Sequence, residues 1–237
     1  MNLTRNHRPL YVQITNILKD RILHGHYPLH SKLPSEPRLE EEFGVSKITI
    51  RGAIKALVQQ GYLETSSGRG TTVIRNTSTA KRSSWKRFTE VLVEEGHRME
   101  KELLHMEAAA TEPGSEVRQL LGERCLRIER LYRLNGEPYI HYVHYVPERF
   151  GPVAASELHA QSLYGWLEER GAAIARFRDA FSVGMASAPT AMLLGIELHT
   201  PLLKRLRCAC DDAGETIEYS EGYYRADLHP YAVDYEV

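Results

Sequence analysis

Apolar residues in the first part of the chain recur three or four positions apart, which predicts amphipathic helices. The first predicted helix ends at Gly25. Its apolar face consists of Leu10, Ile14, Ile17, Leu18 and Ile22. A short second helix would begin after Ser35, a residue type favoured at the N-cap, and end at Gly44. Leu39 and Phe43 would face the core from this helix.

A third helix is predicted from Ser46 at its N-cap to about Gln60. Its apolar stripe consists of Ile50, Ala53, Ile54, Leu57 and Val58. The remaining surface carries Lys47, Ile48, Thr49, Arg51, Gly52, Lys55 and Gln59. A charged, solvated surface helix would show the same pattern, so this helix alone does not establish a function.

Two short strand-like runs, 62–65 and 71–74, follow the third helix. Gly68 and Gly70 permit a tight tip between them, from which Arg69 would project. Three helices followed by such a hairpin predict a winged helix-turn-helix. In that motif the third helix enters the major groove, and the wing reaches the backbone or the minor groove.

The N-terminal part of the third helix supplies the candidate DNA contacts. Lys47 and Arg51 can reach guanine or phosphate, and Thr49 can bond to a base or a phosphate. Ile48 would contact a thymine methyl group, and Gly52 would let the backbone approach the duplex closely. The predicted DNA-binding residues are Arg38, Ser46, Lys47, Thr49, Arg51, Gly68, Arg69 and Gly70.

The second part of the chain mixes helical and strand-like segments. Helices are predicted over 88–95, 162–170 and 189–194, and strands over 125–134, 139–146, 202–210 and 215–227. Asn135-Gly136 and the turn at 211–214 would close two hairpins. Hairpins of this kind predict a largely antiparallel sheet with packed helices, so the expected fold class is α+β.

Composition and charge agree with two different modules in one chain. The net charge is −1, but residues 1–75 hold 11 Lys/Arg against 6 Asp/Glu, and the rest is acidic. The polar run 76–84 reads as a linker between a DNA-binding domain, 1–75, and a second domain, 85–237. Three cysteines and no long apolar run predict a cytoplasmic chain without a disulfide framework, signal peptide or membrane anchor.

The first module resembles the GntR family of bacterial transcriptional regulators. The resemblance rests on Pro9-Leu10-Tyr11, Leu33-Pro34-Ser35-Glu36, Phe43-Gly44-Val45-Ser46, Thr49 with Arg51, and Gly68, Gly70 and Thr71 in the wing. The chain departs from the family pattern at Pro37, often an arginine, with Arg38 one place later. It also departs at Lys47 for arginine, His30 for glycine and Thr72 for an aromatic residue. Lysine cannot form the bidentate fork of arginine, so an operator sequence does not carry over from relatives.

The second module resembles the UTRA domain of the HutC-like branch of that family, whose fold is similar to chorismate lyase. The matching landmarks are Phe88-Thr89-Glu90, Arg130, Asn135-Gly136-Glu137-Pro138, Ser162-Leu163-Tyr164, Leu194-Gly195-Ile196 and Tyr224-Arg225-Ala226-Asp227. The resemblance implies a small-molecule effector pocket formed by Thr89, Arg130, Ser162, Tyr164, Glu218 and Tyr224. Arg130 beside a helix N-terminus near Thr89 would suit a phosphate or carboxylate.

Two further pocket positions, Tyr132 and Tyr142, set this chain apart from relatives that bind phosphorylated amino sugars. Those relatives tend to have a second arginine and a glutamate there. With Tyr139 and Tyr145, these residues indicate a more aromatic and less charged pocket. We therefore expect an effector other than an amino-sugar phosphate; the alternatives are a smaller acid and an aromatic or amine-bearing metabolite.

Other candidate chemistry is weak. His141 and His144 lie three apart on a strand and would point to opposite faces, so they cannot chelate one ion. Cys208 and Cys210 share a face but lack an evident third ligand, which favours a core position for both. No metal or other cofactor is expected.

The sequence as a whole predicts a homodimeric transcription factor on an inverted-repeat operator, most simply a repressor of a catabolic or transport operon that a metabolite releases. One alternative is a DNA-binding dimer that responds to no effector. The other is a lyase-like enzyme, but no nucleophile–base pair, phosphate loop or metal motif is present at interpretable spacing.

Overall fold

The computed structural model describes residues 9–66, 68, 70–77, 88–151, 158 and 162–232. The chain divides into two compact units, Met1–Met99 and Glu100–Val237. The helix that follows the predicted linker therefore belongs to the first unit by its contacts, and the linker at 76–84 stays a prediction.

The first unit contains helices and a small hairpin. The helices are α1 (Leu10–Leu23), α2 (Glu36–Phe43), α3 (Lys47–Gln59) and α4 (Phe88–Glu94), and the strands are β1 (Leu63–Ser66) and β2 (Gly70–Val73). The two strands are antiparallel and pair from Leu63 opposite Val73 to Ser66 opposite Gly70. A bridge between Lys32 and Thr72 adds a third short strand segment beside the hairpin.

Helix ends lie where the sequence predicts them, but the capping contacts differ. Ser35 and Ser46 occupy the N-cap positions of α2 and α3, yet neither side chain accepts a capping hydrogen bond. The Ser46 hydroxyl instead lies 2.9 Å from the Thr49 hydroxyl. Gly44 ends α2 in the left-handed conformation, with φ of 62°, as the sequence predicts.

The core of the first unit follows the apolar stripes, with one error at the end of α3. Ile50, Ala53, Ile54 and Leu57 are buried as predicted, whereas Val58 is 37% exposed. Eight residues advance a helix by 800°, so Val58 lies about 80° round the axis from Ile50 at the edge of the stripe. The prediction of Val58 as a core residue is therefore wrong.

The second unit is built on a six-stranded sheet in the order β3-β4-β5-β8-β7-β6. The strands are β3 (Met99–Ala110), β4 (Arg124–Leu134), β5 (Glu137–Pro147), β6 (Arg176–Met185), β7 (Pro201–Cys210) and β8 (Thr216–Tyr224). The helices are α5 (Glu116–Leu121), a single 3₁₀ turn (Glu148–Phe150), α6 (Leu163–Glu169) and α7 (Ala188–Leu194). The pairs β4–β5, β5–β8, β8–β7 and β7–β6 are antiparallel, which confirms the α+β prediction.

The turn residues act as predicted between β4 and β5. Asn135 and Gly136 both have positive φ, 51° and 91°, as a two-residue hairpin turn requires. Strands β3 and β6 and helix α5 were not predicted from the sequence. Nearly every residue of β6 is exposed, yet Phe177, Phe181, Val183 and Met185 stand at alternate positions, so the alternation that indicates a strand is present in the sequence and was missed. The last strand also ends at Tyr224, three residues earlier than predicted.

The two faces of this sheet carry different side chains and pack against different helices. We call the face that carries Arg130, Tyr142, Glu218 and Arg205 the first face, since strand register places these residues on one side. Part of it packs in a core with α6, formed by Ile128, Val146, Leu163, Trp166 and Leu167. The second face packs against α7 through Leu131, Ala191, Leu194 and Leu202.

Candidate DNA interface and effector pocket

Several side chains on the outer surface of α3 are exposed and do not pack in the core. Lys47, Arg51 and Lys55 are exposed, and Ile48 is 84% exposed. A large aliphatic side chain this exposed contributes little to the core, so it is available to contact a thymine methyl group. The structure thus presents the predicted reading residues on one accessible helix surface.

Arg51 on α3 forms an ion pair with Glu36 on α2. Its Nε lies 3.0 Å and 3.2 Å from the two carboxylate oxygens of Glu36, at the first position of α2. The Arg51 side chain remains 62% exposed, so its outer guanidinium nitrogens are open to solvent. Arg38, the third residue of α2, is exposed as well.

Gly52 has a packing role within the first unit. A Cβ at this position would lie 3.3 Å from Cβ of Tyr11 on α1. The glycine therefore makes room for the Tyr11 side chain, and the close approach of DNA at this point stays a prediction. The tip of the wing has Gly68 and Gly70 at φ of 73° and 86°, as a tight tip requires. Arg69 lies outside the described residues.

One row of residues crosses four strands on the first face of the sheet. Arg130 on β4 is opposite Tyr142 on β5, Tyr142 is opposite Gly222 on β8, and Gly222 is opposite Arg205 on β7. Any side chain at Gly222 would overlap the Tyr142 ring, so the glycine lets this ring lie over the sheet. Tyr132 meets the same ring edge to face, with ring centres 5.6 Å apart.

Glu218 is the buried acid of this face, with an exposed fraction of 0%. Its Oε1 lies 2.8 Å from Nδ1 of His144, and its Oε2 accepts a 2.9 Å hydrogen bond from the Tyr164 hydroxyl. Burial lowers the pKa of His144, although the carboxylate acts in the opposite direction. Burial and the same carboxylate raise the pKa of Tyr164. A neutral imidazole must carry its proton on Nδ1 to donate to Glu218.

Two arginines occupy this face at buried depth. Arg130 is 2% exposed, and its Nη2 donates to the Leu158 carbonyl oxygen at 3.1 Å. Arg205 is 7% exposed and donates to the hydroxyls of Tyr142 and Tyr231, the latter at 3.1 Å. The guanidinium carbon of Arg205 lies 5.5 Å from the ring centre of Tyr142 and at the same distance from that of Tyr224. The Tyr142 and Tyr224 hydroxyls are themselves hydrogen-bonded.

Sequence reasoning missed Arg205, Arg207 and His144 as members of this face. The available signal was spacing: Arg205 and Arg207 stand two apart in a strand, so they share a face. Arg207 forms two hydrogen bonds, 2.7 Å and 2.6 Å, to the carboxylate of Asp179 on β6.

The remaining predicted pocket residues are placed as follows. The Ser162 hydroxyl accepts a 3.0 Å bond from the Gly165 amide and caps α6. Thr89 lies in α4, and its side chain is outside the described residues. Tyr139 lies at a bulge in the β4–β5 pairing and contacts the Tyr224 ring at 6.3 Å. Tyr145 packs on Tyr219 on the second face, so its expected place in the pocket is corrected.

The histidines and cysteines lie as their spacing predicts. His141 points away from His144 and lies 2.8 Å from Glu129 and 3.2 Å from the Thr190 hydroxyl. The thiols of Cys208 and Cys210 are 3.5 Å apart on one face, but Cys208 is only half-buried, so the core position predicted for it is wrong.

Comparison with known proteins agrees with both modules. The model described as "Bacterial regulatory proteins, gntR family" matches residues 10–73, and the UTRA domain model matches residues 94–230. The repressor NagR of Bacillus subtilis is 28% identical over 94% of this chain and 93% of its own length. A probable fructoselysine utilization operon repressor of Escherichia coli is 26% identical over 97% and 96%. The crystal structure of PhnF from Mycobacterium smegmatis is 26% identical, with a TM-score of 0.53 over 90% of this chain and 95% of PhnF.

A winged helix-turn-helix and a sheet domain with a buried polar face define a DNA-binding transcriptional regulator with an effector-binding domain. The chain belongs to the UTRA family of gntR-type bacterial regulators. This confirms the family prediction and the prediction of a regulator and not an enzyme. None of the described helices is long and apolar enough to cross a membrane.

Proposed function

We propose that this chain is a homodimeric cytoplasmic repressor that leaves its operator when a small metabolite binds the first face of the sheet. The observation that carries the proposal is the pairing of two features in one chain. One is the exposed surface of α3, and the other is a buried row of polar side chains on the first face of the sheet. The relatives named repressors support the direction of control.

On the DNA side, the helix supplies the specific contacts and the wing supplies the anchoring ones. Lys47, Thr49 and Arg51 would meet bases and phosphates, with Ser46 placing Thr49 through its hydroxyl contact. Arg38 would bind the phosphate backbone from α2, and the wing tip at 68–70 would bring Arg69 to the minor groove.

On the effector side, the roles follow the contacts of the first face. Arg130 would attract an anionic group, and Glu218 with Tyr164 would bond to hydroxyl or amino groups of the metabolite. Tyr132, Tyr142 and Tyr224 would form aromatic walls. Ser162 completes the proposed set at the start of α6.

Dimer formation is proposed through the second domain, 85–237. Strand β6 lies at the edge of the sheet and exposes Phe177, Phe181, Val183 and Met185, the third of these by 74%. An exposed apolar edge strand is a template for pairing with another chain. Two joined copies would place the recognition helices about 34–36 Å apart on an inverted repeat.

Nuclease footprinting of the DNA upstream of the gene and its neighbours tests the proposal. We expect protection of two half-sites related by a dyad, lost when a binding metabolite is added. Protection of a single half-site, or protection that no metabolite in a thermal-shift screen relieves, would contradict it. Sedimentation of Val183→Lys should show monomers, with Met192→Lys, an exposed apolar residue on α7, as the control that stays dimeric.

The aromatic character of the pocket separates this chain from regulators of amino-sugar phosphates. Calorimetric titration with glucosamine 6-phosphate should show no tight binding, because Tyr132 and Tyr142 stand where regulators that bind phosphorylated amino sugars tend to have charged residues. Tight binding of that compound would overturn this part of the proposal.

A further inference from the structure

The charges buried on the first face do not balance. Arg207 is neutralised by Asp179, which it contacts through two hydrogen bonds. Glu218 carries one negative charge, which offsets one of the two remaining arginines, Arg130 or Arg205. Among the described residues no further acid pairs with either arginine. The surplus is therefore one positive charge in a region that excludes water, where an unpaired charge is costly.

The phenols around Arg205 do not supply the missing negative charge. Burial raises the pKa of Tyr142 to about 12, so its hydroxyl is neutral near neutral pH. The rings stabilise the guanidinium through their faces, as an aromatic cage does for a cation. They leave its charge in place and open to an anion.

Two buried polar atoms of this face have no hydrogen-bond partner among the described residues. One is Nε of Arg205, a donor, and the other is Nε2 of His144, which is an acceptor when Nδ1 donates to Glu218. Both residues are more than nine-tenths buried. Both also flank the same ring: His144 stacks on Tyr142 at 5.0 Å between ring centres, and the Arg205 guanidinium lies at 5.5 Å.

We propose, resting on the effector pocket proposed above, that Arg205 binds the carboxylate of a compact hydroxycarboxylate whose hydroxyl donates to His144. The carboxylate would accept from Nε and Nη2 of Arg205, the planar two-donor edge that matches its two oxygens. Nη2 now donates to the Tyr142 hydroxyl, so the ligand replaces that contact. One net negative charge cancels the surplus of the face, whereas a phosphate dianion would leave a negative excess beside Glu218.

The test uses the purified full-length chain and simple anions at constant ionic strength. Sodium glycolate, sodium acetate, sodium phosphate and sodium chloride are compared by thermal unfolding. We expect glycolate to raise the melting temperature by about 2–4 °C over chloride. Acetate lacks the hydroxyl that would donate a hydrogen bond to His144, so it should raise the melting temperature less than glycolate does. The rise with glycolate should disappear in Arg205→Met and persist in Arg178→Met, a control on exposed β6.

Three outcomes overturn the proposal: no rise with glycolate, a rise that survives Arg205→Met, and a larger Arg205-dependent rise with phosphate. If Arg205→Met does not fold, Arg205→Lys keeps the charge but loses the fork, and the glycolate effect should then weaken. Gel-shift titration of the upstream DNA is run in parallel. If the wild type does not bind the upstream DNA, the proposed function is wrong, whereas the result with the anions still stands. If a metabolite without a carboxylate releases the protein from DNA and glycolate has no effect, the proposed function is supported and the carboxylate proposal is overturned.

Discussion

Nε of Arg51 in the recognition helix lies 3.0 Å from one carboxylate oxygen of Glu36 and 3.2 Å from the other. The pair ties the start of α2 to the helix proposed to read the DNA, and it leaves the far end of the guanidinium open. Exposed ion pairs of this kind contribute about 0–1 kcal/mol to stability, so their value here is positional.

Removing the Arg51 side chain should weaken DNA binding and spare the rest of the molecule. We expect Arg51→Ala to reduce operator affinity by about 10- to 100-fold or more, because a base or phosphate contact of arginine is lost. Binding of an effector to the other unit should not change. Fluorescence anisotropy with an operator duplex measures the first effect, and retained footprinting by the variant would refute the assignment.

The partner of Arg51 offers a matched variant. Glu36→Gln keeps the shape of the side chain but removes a negative charge from the DNA-facing surface. We expect affinity for the same duplex to be equal or higher, since the phosphate backbone repels the carboxylate. A loss as large as that of Arg51→Ala would show instead that the ion pair itself is required for reading.

Arg130 is expected to separate effector response from DNA binding. Replacement by alanine, or by methionine to preserve the buried volume, removes the guanidinium that now bonds to the Leu158 carbonyl. A metabolite that raises the melting temperature of the wild type should no longer release the variant from its operator, while binding to the operator persists. A variant that the metabolite still releases would argue against a pocket role.

His30 is held in a conformation that suits glycine. Its φ is 66°, in the left-handed region, and its amide donates to the Val73 carbonyl beside the wing at 2.8 Å. A residue with a Cβ in this conformation destabilises the folded state by about 1–2 kcal/mol. Glycine avoids this strain but loses more backbone conformational entropy on folding, which offsets part of the gain. We expect His30→Gly to raise the free energy of unfolding by about 0.5–1 kcal/mol in urea titration. His30→Ala keeps the strain and should give no gain; equal gains in both would reject the argument.

The buried His144 predicts a loss of stability in acid. Burial holds its pKa below the ordinary value of about 6.5, with Arg130 and Arg205 acting in the same direction and Glu218 against them. The unfolded chain then binds more protons than the folded one below about pH 6.5. The stability that comes from the neutral ring is therefore full above that pH and falls as pH drops toward the lowered pKa.

Thermal unfolding between about pH 7.5 and pH 5 measures this dependence. We expect His144→Gln to lose less stability than the wild type over that interval. His141, whose pKa burial also lowers, accounts for part of the slope that remains. An unchanged slope in the variant would show that His144 does not titrate in this range.

Sequence reasoning succeeded where one local signal fixes one local structure. The apolar stripe from Ile50 to Leu57, the left-handed Gly44 and the Asn135-Gly136 turn each carry their physical cause within a few residues. It missed β6, although apolar residues stand at alternate positions there, and it could not find a neighbour that is distant in the sequence. Gly52 is explained by Tyr11, and neither residue indicates the other in the sequence.

The sequence by itself determined that this chain folds as a winged helix-turn-helix followed by an antiparallel α+β domain, because periodicity and turn residues act over short range. It also determined which side chains share a strand face, as for Glu218 and Tyr224. Only the tertiary structure decided which strands are neighbours, and therefore that Arg130, Tyr142 and Arg205 form one row. The surplus of buried positive charge depends on that neighbourhood, since a charge is balanced by what packs beside it in space.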